Sequence, residues 1–126
     1  MSPLFRHNEE KEARKAAAKV EIERVRALPV DELAPDVLLG LGPDGPAHGT
    51  STRVQQLCQY LLRDYPGAGN MDTLNLTAAV NEALDMLDDA GLVSPISVQR
   101  TPVWKITRLG LSTLAEGDVR ERLRRR

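Results

Sequence analysis

Four carboxylates, Glu82, Asp85, Asp88 and Asp89, recur at helical spacing within NEALDMLDDAGLV, residues 81 to 93, and every charge in that segment is negative. Side chains three and four positions apart share one side of a helix, so the four acids form a single ridge. A ridge of this kind can attract a hard divalent cation or dock on a basic protein surface, and it opposes a polyanion. No other ligand set accompanies the acids in the sequence, so they read as a solvated acidic face with no metal.

The remaining reactive residue types are scattered. Cys58 is the single cysteine, which leaves no internal disulfide and no cysteine cluster for zinc. It falls on the apolar stripe of its helix and reads as a small core residue. His7 lies near the N-terminus and His48 in a Gly/Pro loop, neither paired with a nucleophile. GLGPDG, residues 40 to 45, has the letters of a dinucleotide-binding loop, but it follows a helical segment and contains Pro43, so it reads as a turn. The expectation is a protein that is not an enzyme and binds no cofactor.

The elements that must position the acids follow from periodicity. Leu76, Val80, Ala83, Leu84 and Leu87 repeat at helical spacing, predicting a helix over about 74 to 90 that stops at Gly91. TRVQQLCQYLLRDYPG predicts an amphipathic helix through Val54, Leu57, Cys58, Leu61 and Leu62, opened by Thr52 and Gln55 in capping-box spacing and closed at Tyr65 before Pro66-Gly67. PVDELAPDVLLGLG, 29 to 42, predicts a short helix with Gly40 and Gly42 as its stop. LVSPISV and PVWKIT alternate as two strands around Gln99-Arg100-Thr101-Pro102, and a final helix runs from about Thr107 to Leu123. Residues 9 to 27 predict a self-supporting charged helix whose apolar stripe is Ala13, Ala17, Val20 and Ala27; it lies against the body, stays solvated or pairs with a second copy as a homodimer.

Composition agrees with one soluble domain: 126 residues, 41% hydrophobic and 28% charged. No apolar run reaches the roughly 20 residues that span a bilayer, and the N-terminus lacks a signal-peptide core, so no membrane contact and a cytoplasmic location are expected. Charge is segregated. Residues 1 to 27 carry seven basic against five acidic side chains, residues 28 to 107 four against ten, and residues 108 to 126 six against three. The organisation read from this is a charged helix over 1–28, a domain over 29–118 and an arginine-rich tail over 119–126.

The order of elements, with LDMLDDAGLV ahead of a hairpin and VWKITRLG opening a further helix, resembles the winged helix-turn-helix family. The likeness covers roughly residues 33 to 116 and is similar to the amino-terminal domain of Mrr-type restriction enzymes and to small bacterial regulators. The resemblance implies a mainly α protein with a small β-hairpin, an α+β winged helix extended by the charged N-terminal helix and the basic C-terminal segment. Trp104 and Ile106 then cover the helix as core residues.

The same resemblance places Asn75, Thr77, Ala78 and Asn81 toward base edges, with Thr52, Arg53, Arg100, Arg108, Arg120, Arg122, Arg124, Arg125 and Arg126 as further DNA-contact candidates. Its implied function is regulatory or accessory binding of duplex DNA. The alternative is an adaptor whose Glu82, Asp85, Asp88 and Asp89 meet a basic partner surface.

Overall fold

In the computed structural model, which describes residues 3–124, the elements are α1 (Pro3–Ala27), α2 (Val30–Leu41), β1 (Ser51–Thr52), α3 (Val54–Leu61), α4 (Asn70–Asn75), α5 (Thr77–Asp89), β2 (Val93–Val98), β3 (Thr101–Ile106), α6 (Arg108–Glu116) and α7 (Val119–Arg124). The protein is mainly helical with one small antiparallel sheet of order β1-β3-β2, an arrangement compatible with a winged helix. Leu33, Ala34, Val37, Leu38 and Leu41 of α2 pack with Val80, Ala83, Leu84 and Leu87 of α5 at its centre. Leu57 and Cys58 of α3, with Leu62 just beyond it, join them, and Leu92, Val93, Trp104 and Ile106 close the sheet side, as the strand alternation predicts. Each large apolar side chain buried here contributes about 1.5–3 kcal/mol.

The join between α5 and the sheet is tied by polar contacts as well. Gly91 takes φ 78°, the left-handed turn that ends the helix. Its carbonyl accepts from the Thr107 hydroxyl at 2.7 Å, and the same hydroxyl oxygen caps α6 by accepting from the Gly110 N–H at 3.0 Å. Gly110 is needed there because a Cβ would lie 2.2 Å from the Leu92 carbonyl oxygen.

Several element boundaries differ from expectation. The α3 cap sits one residue later: Gln56 accepts from the Arg53 N–H at 3.2 Å and from the Thr52 hydroxyl, and Thr52 itself belongs to β1 opposite Trp104. The α-helix stops at Leu61 and gives way to turns before Tyr65. In place of one helix over 74 to 90, α4 begins at Asn70 and a break at Leu76 separates it from α5; Asp72 caps α4 by accepting from the Gly69 N–H at 2.8 Å. The hairpin turn is shorter, with Gln99 and Arg100 at φ 50° and 67° and Thr101 and Pro102 already paired to Val98 and Ser97. The final helix divides at Gly117, φ 75°, because α7 turns to bury Val119 and Leu123. Residues 119–124 are thus a packed helix rather than a tail.

α1 uses a different stripe from the alanine one. Ala18, Ile22 and Val25 are buried, while Ala13, Ala17, Val20 and Ala27 are exposed. Spacing of four and three residues is common to both stripes, but Ile22 and Val25 offer more apolar area than alanine and therefore select the docked face. Glu21 joins them: it pairs with Arg24 and accepts from the Tyr65 hydroxyl at 2.8 Å, linking α1 to the end of the α3 region. The Arg24 guanidinium, opposed by burial and aided by Tyr65, holds the Glu21 carboxyl below its ordinary range. A few residues on, Gly67 passes so close to α1 that a Cβ would stand 2.4 Å from the Arg14 carbonyl carbon.

Two predictions concern this docking. Gly67→Ala must push backbone from backbone and is expected to cost about 1–3 kcal/mol, seen as a lower melting temperature and faster amide exchange over residues 18–25. Because folding lowers the Glu21 pKa, its contribution is complete above the ordinary glutamate value of 4.5 and is lost as the pH falls through the lower folded value. Thermal melts between about pH 6 and pH 3 should therefore show Glu21→Gln less stable than the parent at the upper end and losing less stability toward the lower end.

Candidate interaction site

The core stripe of α5 determines what its other side presents. With Val80, Ala83, Leu84 and Leu87 turned inward, Ala78, Asn81, Glu82, Asp85, Asp88 and Asp89 stand exposed along one face. From Asn81 to Asp88 that face advances about 10 Å. Just ahead of it, α4 exposes Met71 (70%), Leu74 (58%) and Asn75. The exposed surface therefore runs from apolar through amide to acidic. Asp89 also has an interaction within the chain. Thr77 is half-buried, with its hydroxyl toward the Cys58 thiol, and burial raises the pKa of that thiol and keeps it protonated.

The sign of the charge on this side is uniform over a long span. Between Arg63 and Arg100 there is no lysine or arginine, and there are six acids: Asp64, Asp72, Glu82, Asp85, Asp88 and Asp89. Lys15 and Lys19 of α1 line a cavity with Gly69 and Asp72 at the start of α4, and further cations belong to the sheet and its flanks. Arg53 follows β1, Arg100 is in the hairpin turn, and Arg108 opens α6, all exposed. Lys105 joins them, exposed on β3 between Ser51 and Ser94. Thr52 is 3% exposed and gives its hydroxyl to Gln56, so it presents nothing to a ligand.

The C-terminal arginines are held elsewhere. Arg120 and Arg124 are exposed beside Pro35 and Leu39, which lie on the outer ridge of α2. That ridge, Glu32, Pro35, Asp36 and Leu39, is opposite the α2 face buried against α5. Arg122 is half-buried, and Arg125 and Arg126 lie outside the described residues. Asn75, Asn81 and the acids thus share one surface, while Arg120 and Arg124 are across α2 from it.

Sequence reasoning missed Lys105, Met71 and Leu74. The inward placement of Trp104 and Ile106 would have turned Lys105 outward, but the loop composition of GAGNMDT masks the start of α4. Among the described residues, no group of three His, Cys, Asp or Glu is placed to hold a metal ion. No helix among them is long and apolar enough to cross a membrane. In comparison with known proteins, the chain matches no family model, no curated protein and no solved structure.

Because Asp85 and Asp88 are exposed and off the core stripe, replacing both by Asn should change stability by no more than about 0.5 kcal/mol. Leu84→Ala, from the fully buried side of the same helix, should cost about 2–5 kcal/mol in the same denaturant titration.

Proposed function

We propose that this chain is a winged-helix protein whose α4–α5 face docks on a basic segment of a partner protein. The observation that carries this reading is the exposed surface from Met71 to Asp88, apolar at one end and acidic at the other, to which α4 and α5 themselves contribute no lysine or arginine. Apolar side chains exposed together near a polar border are characteristic of protein contacts, and the acids supply steering and register. A partner helix with Leu or Ile at its centre and Lys or Arg in the following turns complements both halves.

Duplex DNA binding is the second reading. The exposure of Asn75 and Asn81 and the cations Arg53, Arg100, Lys105 and Arg108 on the sheet side favour it. It requires phosphates to pass Glu82, Asp85 and Asp88, and the arginines of α7 are not on that surface to offset them. A homodimer through α1, one of the alternatives open from the sequence, would use the exposed Ala13, Ala17 and Val20.

A labelled 16-residue amphipathic peptide with a Leu ridge and a Lys/Arg border, titrated with the full chain, tests the first reading by fluorescence anisotropy. Binding should weaken with salt and fall by about three- to tenfold for the chain carrying D85N and D88N. Equal binding by that variant, or no binding at all, would overturn the docking assignment.

A further inference from the structure

Two cavities adjoin on the far side of α2, sharing Leu39 and Leu114. One, about 460 Å³, extends past Pro35 and Val119 to Arg120 and Arg124. The other, about 260 Å³, extends past Leu111 and Pro43 to Asp44. Together they make a groove running along α2, with α6 in the opposite direction as its second wall. Leu39 and Leu111 remain 47% and 38% exposed in it, although Leu33, Leu38 and Leu41 of α2 are buried.

We propose that this groove is the contact between two copies of the chain, related by a two-fold axis through Leu39 and Leu114. The charges at its ends give the reason. Exposed Arg120 and Arg124 stand at one end and exposed Asp44 at the other. At the arginine end Glu121 is already engaged within the chain, and Asp118 turns Oδ1 into the wall, out of contact with solvent. A two-fold axis across a groove charged in this way sets the arginine end of each copy on the Asp44 end of the other and the leucines against each other. In that antiparallel sense the exposed charges at the two ends complement each other. The contact lies across α2 from the α5 face, so it leaves that face of both copies open and is independent of what that face binds.

Sedimentation equilibrium of the full chain over about 1–300 µM supplies the test, with a dimer expected to form at tens of micromolar. Leu39→Glu with Leu111→Glu should weaken association at least tenfold while circular dichroism and melting temperature stay near those of the parent. Asp44→Arg alone, and Arg120→Asp with Arg124→Asp alone, should each weaken it about three- to tenfold, and the three changes combined should recover most of the loss. A chain that remains monomeric over the range overturns the proposal. So does a dimer that ignores these substitutions but is lost with Ala17→Glu, which would place the contact on α1.

Discussion

The packing of α2 on α5 is the constraint on which the rest depends. The apolar stripe of α5 meets that of α2, and their side chains are closed to solvent. Once this contact is made, the orientation of α5 has no freedom left: rotation by even a third of a turn would bury Glu82 or Asp85 and expose Leu84 or Leu87. The outward surface is thus a by-product of the inward one. Leu92 and Val93 carry the same stripe into the sheet, and the Thr107 contacts with Gly91 and Gly110 fix the angle at which the hairpin and α6 leave it.

Electrostatics then separates the surface into regions that the total charge of −1 conceals. The span from Asp64 to Gln99 contributes acids alone, the sheet flank contributes Arg53, Arg100, Lys105 and Arg108, and α7 contributes arginines on the far side of α2. A winged helix that relies on groove reading needs cations around its third helix, since affinity for duplex DNA rests on neutralised phosphates. Here α5 offers amides followed by carboxylates, with exposed Met71 and Leu74 before them. On the proposed reading this chemistry suits a basic, apolar-anchored polypeptide, and carboxylates oppose a phosphate backbone.

Elements with strong periodicity were legible in the sequence: α2, α3, most of α5, both strands of the hairpin and the core roles of Trp104 and Ile106. The misreadings share a cause. At Gly117 the apolar pattern continues across a break, because Leu114 and Val119 serve one core from two helices, and at Leu76 the break falls on a core residue whose spacing to Val80 is still helical. The docked face of α1 was missed because the alanines drew attention from Ile22 and Val25, whose partners are distant in sequence. Arg120 and Arg124 read as a tail since their neighbours Val119 and Leu123 give too short a pattern to announce a packed helix. Charge order along the chain was readable; which charges share a surface was not, as that depends on the turn of α7 onto α2.

The central claim is that the α5 face is made for a basic protein segment rather than for duplex DNA. Its most direct test is a titration of the full chain onto labelled random-sequence duplex DNA at low and moderate salt. The account predicts no useful binding at tens of micromolar protein in low salt. Binding that is tight, weakens with salt and is abolished by Asn81→Ala would contradict it and give the helix back to the groove.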